Sequence, residues 1–136
     1  MSEGRIKFKV YYEDTDSMGI VYHANYLKYF ERGRSEFIDS LGKSMRKWNE
    51  EGVYFVVYSM NLRFRKPAFL GDIIEVVSKL EFESEFRGIF HQRIEKDGEL
   101  LVEGDVEVVC IDAERKPREF PMEILKSAKV NISCCT

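Results

Sequence analysis

Residues 22–42 read YHANYLKYFERGRSEFIDSLG, and this stretch decides the fold. Its apolar side chains recur at intervals of three and four residues, with charged side chains on the opposite side. This pattern predicts one amphipathic helix from near Tyr22 to Gly42. About 20 residues at 1.5 Å each make a helix of roughly 30 Å. Gly33 lowers helix propensity by about 1 kcal/mol relative to alanine, so we expect a sheet to approach the helix closely there.

The rest of the chain is predicted to be mostly β-strand. Alternating apolar and polar side chains, the period-two pattern of a half-buried strand, occupy residues 5–12, 54–65, 74–83, 86–96 and 100–110. In the second run, we expect the even-numbered residues from Tyr54 to Phe64 to share one apolar face. Asp97-Gly98 is a two-residue hairpin signal. These strands predict an α+β fold, an antiparallel sheet wrapped around one long helix.

Length and charge narrow the class of protein. A chain of 136 residues fits one domain, here residues 1–136, because a single hydrophobic core serves well at this size. A net charge of -3 leaves no basic footprint for nucleic acid or an anionic membrane. No apolar run is long enough to span a bilayer, and the N-terminus lacks a signal-peptide core, so we expect a cytoplasmic protein.

The cysteines point to free thiols. Cys110, Cys134 and Cys135 make an odd count without metal-ligand spacing, and we predict no metal site. A vicinal redox pair at Cys134 and Cys135 is the alternative, although cytosolic disulfides are uncommon.

The loop before the helix is the candidate for chemistry. Asp14 and Asp16 lie in it, immediately ahead of the predicted helix start. Free backbone N–H groups at a helix N-terminus stabilise negative charge, including the oxyanion formed when a carbonyl is attacked. A carboxylate beside such a site is a minimal arrangement for acyl transfer. The alternative is that Asp14, Asp16 or Ser17 merely caps the helix.

At this segment the chain resembles the 4-hydroxybenzoyl-CoA thioesterase family, especially its bacterial acyl-CoA thioesterase branch associated with the Tol-Pal system. The resemblance rests on Asp14-Thr15-Asp16, Gly19-Ile20-Val21-Tyr22-His23, Asn25-Tyr26 and the helical residues 30–36, and extends loosely through Arg65-Lys66-Pro67-Ala68 and residues 90–93. It implies the hotdog fold, hydrolysis of acyl-CoA thioesters, and no metal or cofactor beyond the coenzyme A of the substrate. It also implies a homodimer, commonly paired into a homotetramer.

The resemblance assigns roles by residue. Asp16 corresponds to the family's catalytic aspartate, and backbone N–H groups near Tyr22 and His23 would polarise the thioester carbonyl. The carboxylate then either attacks the thioester or activates water as a general base. The His23 side chain could orient water or donate to the carbonyl, and a purely structural role is the alternative. Gly19 and Asn25 belong to the substrate-binding part of the motif, although Asn25 is better suited to fixing the helix start.

Coenzyme A requires a few basic side chains at a groove mouth. The candidates are Arg63, Arg65, Lys66 and Arg87, each of which is alternatively a solvated strand-end charge. His91 is expected to face solvent from its strand. Trp48 either roofs an acyl pocket or, as we favour, anchors its segment to the core.

Other functions remain open at this level. An acyl carrier protein could replace coenzyme A as the acyl donor. The chain could also be a noncatalytic subunit that binds acyl-CoA or acyl carrier protein, because fold alone does not guarantee chemistry. A dehydratase or hydratase of the same fold is a further rival, which would draw its catalytic residues from another motif.

Overall fold

The computed structural model describes residues 3–128, and these form one curved antiparallel sheet with a helix packed on it. The elements are β1 (Gly4–Lys9), a 3-10 turn (Tyr12–Asp14), α1 (Asn25–Asp39), α2 (Met45–Glu50), β2 (Tyr54–Phe64), β3 (Ile73–Ser84), β4 (Arg87–Lys96), β5 (Glu99–Ile111), β6 (Pro117–Arg118) and α3 (Met122–Ser127). The strand order is β1-β3-β4-β5-β2, with β6 pairing with β5. The predicted α+β architecture is therefore confirmed.

The central strands follow the predicted alternation. The even-numbered residues of β3 from Ile74 to Phe82 are all buried, and in β5 Val102, Val106, Val108 and Cys110 are buried as well. Asp97 and Gly98 have φ angles of 50° and 82°, as the two-residue turn between β4 and β5 requires. The hairpin prediction is confirmed.

Helix α1 is shorter than the sequence suggested. It spans 15 residues, about 22 Å, instead of roughly 30 Å. Before it, Val21 pairs with Thr15 in a β-bridge, and the Tyr22 N–H donates to the Asp14 carbonyl at 3.2 Å. These hydrogen bonds hold the backbone of residues 21 and 22 outside the helix. The three-to-four-residue spacing of apolar side chains therefore begins in a turn, before α1 starts at Asn25. The predicted helix ends were wrong by three residues each.

The close approach predicted at Gly33 is confirmed. A Cβ atom on Gly33 would lie 2.6 Å from Val76 Cγ1 and 3.0 Å from Ser78 Oγ. Next to it, the Gln92 amide nitrogen donates to Ser78 Oγ at 2.8 Å and to the Phe30 carbonyl at 2.9 Å. Arg34 donates to Gln92 Oε1 at 3.0 Å. This buried polar cluster joins the middle of α1 to β3 and β4.

Strand β2 departs from the predicted pattern. A β-bulge at Tyr58 lies between the pairs Val57↔Val108 and Ser59↔Glu107. The extra residue reverses the alternation, so the helix-facing side carries odd-numbered residues before Tyr58 and even-numbered residues after it. The single even-numbered face predicted from Tyr54 to Phe64 is therefore wrong. β2 is also an edge strand, and most of it is exposed.

Burial settles the alternative that the sequence left open for Trp48. Trp48 is buried in the cluster formed with Phe37 and Ile38, so it anchors α2 to the core as we favoured. Cys110 is a buried free thiol, and burial raises its pKa to about 11. Cys134 and Cys135 lie outside the described residues.

Among residues 3–128, no helix has the length and apolar character needed to cross a membrane.

Candidate active site

Asp16 lies in a tight loop stabilised by its own side chain. Its N–H donates to the Ile20 carbonyl at 2.9 Å, and its Oδ1 accepts the N–H of Met18 at 2.8 Å and of Ile20 at 3.3 Å. Gly19, with φ at 78°, provides the left-handed turn that closes the loop. The carboxylate is exposed, and its Oδ2 has no partner within the described part of the chain.

The acidic residues of this loop do not cap α1. The N-cap position is Ala24, which offers no side-chain acceptor. Asp16 instead holds its own loop, and the Asp14 carboxylate accepts the N–H of Tyr11 at 2.9 Å. The capping alternative is therefore wrong. No side-chain carboxylate accepts a hydrogen bond at the N-cap of α1.

Two backbone donors are left open ahead of the helix. The N–H groups of Asn25, Tyr26 and Leu27 donate three residues back, to Tyr22, His23 and Ala24. The resemblance placed the donors near Tyr22 and His23. The Tyr22 N–H already donates to the Asp14 carbonyl, so it is not one of the open donors. Only the His23 and Ala24 N–H groups in this segment lack a partner among residues 3–128. Unpaired N–H groups ahead of a helix are suited to hydrogen-bond a carbonyl oxygen.

Asn25 fixes the helix start against the loop that carries Asp14 and Asp16. Its side-chain nitrogen donates to the Asp14 carbonyl at 2.7 Å, and the same carbonyl accepts the Tyr22 N–H. One N–H of its side-chain amide is thus used within the protein, in the structural role that we favoured for Asn25.

His23 opens onto a shallow groove. Its ring lies 4.5 Å from the Tyr22 ring and 6.2 Å from the Phe64 ring, measured between centroids. The groove measures about 240 Å³ and is lined by Val21, His23, Tyr26 and residues 64–67. Tyr22 is 52% exposed and covers His23 rather than the core. The buried Tyr26 hydroxyl accepts the Ala68 N–H at 3.0 Å and holds the far wall, a role that the sequence did not reveal.

The four predicted basic residues do not form one cluster. Arg65 and Lys66 border the His23 groove. Arg65 forms an ion pair with Glu103 at 2.7 Å, and Lys66 forms one with Glu99. Arg63 lies on the outer face of the sheet. Arg87 pairs in register with Val109, whereas Phe64, the residue before Arg65, pairs with Val102. These two positions on β5 are seven residues apart, so Arg87 lies about 24 Å along the strand from Phe64. Its guanidinium lies 5.0 Å from the centre of the Tyr58 ring.

An apolar cavity that the sequence did not reveal lies between α1 and the free edge of the sheet. It measures about 180 Å³, and Arg34 and Glu31 border it. Its walls are mainly apolar: Ile38, Met45, Phe55, Val57, Leu80, Phe90, Val108 and Phe120. The cavity is comparable in size to one of 150 Å³ that binds benzene in an engineered protein.

His91 faces outward as predicted, but it is not simply solvated. Its Nδ1 lies 2.7 Å from Asp105 Oδ1 and its Nε2 lies 2.8 Å from Glu81 Oε1. Partial burial opposes protonation, but the hydrogen bonds to these two carboxylates prevail and raise the pKa of His91. It lines a polar depression on the outer face, away from the loop of Asp16.

The sequence of residues 10–127 matches the family model described as the thioesterase-like superfamily. The chain belongs to this superfamily. It is 38% identical over 123 residues to the acyl-CoA thioester hydrolase YbgC of Escherichia coli O6:H1, covering 89% of this chain and 92% of that protein. The family predicted from the strand-loop-helix motif is thereby confirmed.

Solved structures of the superfamily share the fold. A probable thioesterase from Bartonella henselae superposes with a TM-score of 0.84 at 34% identity, covering 88% of this chain and all of the other. A 1,4-dihydroxy-2-naphthoyl-CoA thioesterase from Synechocystis gives a TM-score of 0.86 at 22% identity, covering 94% and 96% of the two chains, and supports the fold alone. The hotdog fold is confirmed.

Proposed function

We propose that this protein is an acyl-CoA thioesterase that releases a free carboxylic acid and coenzyme A, with Asp16 as its catalytic carboxylate. One observation carries the proposal: an exposed carboxylate, with one oxygen unpartnered among residues 3–128, stands in the loop that leads to the open N–H groups of His23 and Ala24. The bridge between Thr15 and Val21 joins the two parts of the loop. The YbgC relative, named as an acyl-CoA thioester hydrolase, supports the same activity.

The open N–H groups would hold the thioester oxygen as negative charge develops on it. In the general-base route, Asp16 takes a proton from water, the water oxygen bonds to the carbonyl carbon, and the carbon–sulfur bond breaks. In the nucleophilic route, the carboxylate forms a mixed anhydride and expels the thiolate, and water then hydrolyses the anhydride. Both routes place the same demand on Asp16 and the backbone donors. The His23 ring would flank the reacting carbonyl.

The proposed enzyme is at least a homodimer formed through β2, with a homotetramer as a further step. β2 presents an open edge with exposed apolar side chains, including Val56, Val57 and Met60 at 40%, 41% and 37% exposure. Unpaired edges of this kind invite pairing with another chain. In antiparallel pairing of two β2 strands, the Phe64 end of one approaches the Phe55 end of the other. The His23 groove of one copy would then approach the apolar cavity of its partner, which would take the acyl group.

Arg65 and Lys66 are the proposed contacts to coenzyme A within one chain, because they border the His23 groove. Arg63 and Arg87 lie on the outer face and would contribute only across a subunit interface. Gly19 would act through the shape of the loop. We propose that no cofactor is required beyond the coenzyme A of the substrate, and that the protein acts in the cytoplasm.

A panel of short, long and aromatic acyl-CoA substrates with thiol detection tests the proposal. Release of free thiol is expected. A double-bond shift without thiol release would identify a dehydratase or hydratase. Binding without any reaction would identify a noncatalytic subunit. The same acyl groups on acyl carrier protein would show whether it replaces coenzyme A.

A further inference from the structure

A groove separate from the His23 groove is rich in positive charge. It lies beside β1, at the edge of the sheet opposite to β2. It measures about 410 Å³ and runs between β1 and the first two turns of α1. Four cations line it, Lys7 and Lys9 from β1 and Lys28 and Arg32 from α1, with Glu13 and Asp14 at its loop end. We refer to it as the β1–α1 groove.

These four cations form no ion pair with a carboxylate in the part of the chain that the structure describes. Other cations of the chain are paired, as Arg5 is with Glu75 and Lys96 is with Asp72. Four cations face two carboxylates in the groove, although the whole chain carries a net charge of -3. The groove is therefore a local concentration of positive charge on an acidic protein.

The position of Lys28 is unfavourable for a cation. Lys28 lies in the first turn, where the helix dipole disfavours a cation, and no acidic residue is present there to offset it. Arg32 follows four residues later, where two like charges repel. Lysines on β1 have a structural explanation, since charges on an edge strand discourage sheet-to-sheet association. That explanation does not extend to Lys28 and Arg32, which lie on the helix.

The groove also has aromatic surfaces suited to a nucleotide. The Arg32 guanidinium lies 5.9 Å from the centre of the Phe8 ring and 6.0 Å from that of Tyr29. A guanidinium near aromatic rings keeps the planar set of donors that suits bidentate contact with an oxyanion. Tyr11, at the loop end, is 57% exposed and offers a face on which a base can stack.

The two carboxylates leave room for an anion. Asp14 accepts the Tyr11 N–H and is thereby partly satisfied. Glu13 is exposed at the loop end, where it can accept a hydrogen bond from a ribose hydroxyl. We propose that the β1–α1 groove binds the phosphate groups of a nucleotide, held by Lys7, Lys9, Lys28 and Arg32. This inference goes beyond thioester hydrolysis and does not depend on it.

Calorimetric titration with adenosine 3′,5′-bisphosphate tests the groove directly, without any thioester. We expect the full chain to bind it, with an affinity that falls as salt is added. The double variant Lys9→Ala/Lys28→Ala should weaken binding by about tenfold or more. Lys47→Ala/Lys126→Ala removes the same charge from exposed positions on α2 and α3 and should leave binding unchanged.

A stability measurement separates recognition from folding. Removing Lys28 relieves an unfavourable charge in the first turn of α1, so the melting temperature of the groove variant should stay the same or rise while its affinity falls. No binding at millimolar bisphosphate would overturn the proposal, as would an equal loss of affinity in the groove variant and the control variant.

Inhibition of thioester hydrolysis identifies the source of the nucleotide. Competition between the bisphosphate and acyl-CoA, lost in the groove variant, would show that the groove holds the nucleotide of coenzyme A. Binding to the groove without competition would show that it takes a free nucleotide. Either result supports the groove as a phosphate site, and a failure of the proposed hydrolysis would leave the titration unaffected.

Discussion

The side-chain nitrogen of Asn25 donates a 2.7 Å hydrogen bond to the backbone carbonyl of Asp14, which also accepts the Tyr22 N–H at 3.2 Å. One carbonyl thus ties the start of α1 to the segment that leads into Asp16. Because the open N–H groups of His23 and Ala24 lie between these anchors, their direction depends on this contact.

Changing Asn25→Ala removes the side-chain hydrogen bond and leaves the fold otherwise intact. We expect the free energy of unfolding to fall by about 1 kcal/mol, a typical value for one partly buried hydrogen bond. Turnover should fall more than this loss of stability explains, since the backbone donors lose their support. Urea denaturation and thiol release measure the two effects. Asn49→Ala, on α2, is the control, and equal activity in the two variants would contradict this role.

Gly33→Ala should destabilise the protein although alanine is the better helix former. A Cβ atom would lie 2.6 Å from Val76 Cγ1 and 3.2 Å from Gln92 Nε2, inside the buried polar cluster. Overpacking of this kind costs about 1 to 3 kcal/mol, more than the gain of about 1 kcal/mol in helix propensity. Urea denaturation gives the difference, with Glu36→Ala on the exposed side of α1 as the control. A more stable Gly33 variant would show that the sheet yields easily.

Gly33 also illustrates what the sequence could foretell. A glycine inside a strong helical period indicated a close contact, and the alternating runs located β3, β4, β5 and their hairpin. The motif from Asp14 to Tyr26 indicated the family. Local patterns of side chains carry this information, because they report which face of an element is buried.

The remaining features depend on contacts between distant segments. The bulge at Tyr58 follows from the pairing of β2 with β5, and periodicity within β2 does not disclose it. The start of α1 is set by hydrogen bonds from Tyr22 and Asn25 to Asp14, which the apolar period could not show. The separation of Arg87 from Arg65 is a matter of strand register.

Stability should depend on pH through His91. Its pKa is raised in the folded protein, so it binds protons more tightly there than in the unfolded chain. The stability it contributes is fully present below its unfolded pKa, about 6.5, and is lost as pH rises through the folded pKa. His91→Gln should flatten this part of the stability profile, and Asp105→Asn should reduce it in part. Urea denaturation across this pH range measures the slope, and an unchanged slope in His91→Gln would rule out His91 as its source.

Light scattering at micromolar concentration should show at least a dimer. The expectation rests on the open edge and exposed apolar side chains of β2. Val56→Lys adds a charge to this edge and should shift the mass toward that of one chain, with a parallel loss of turnover. Lys47→Glu, on α2, is a control that should leave the mass unchanged. A monomer with full activity would remove the argument that two copies share the site.

The decisive test concerns the Asp16 carboxylate. Asp16→Asn retains an oxygen that can accept the N–H groups of Met18 and Ile20, so the loop and the fold should survive. The variant lacks both the nucleophile and the base, and turnover should fall by roughly a hundredfold or more. Thiol release from a substrate that the parent hydrolyses well provides the measurement, with urea denaturation to verify folding.

Asp14→Asn is the matched control, because Asp14 shares the loop but its carboxylate accepts the Tyr11 N–H, a bond that an asparagine oxygen can also accept. The contacts of Asp14 to Tyr22 and Asn25 come from its backbone carbonyl and persist in the variant. Its loss of activity should therefore be much smaller. If Asp16→Asn keeps parental thiol release, or if Asp14→Asn is the inactive variant, the catalytic carboxylate has been assigned to the wrong residue.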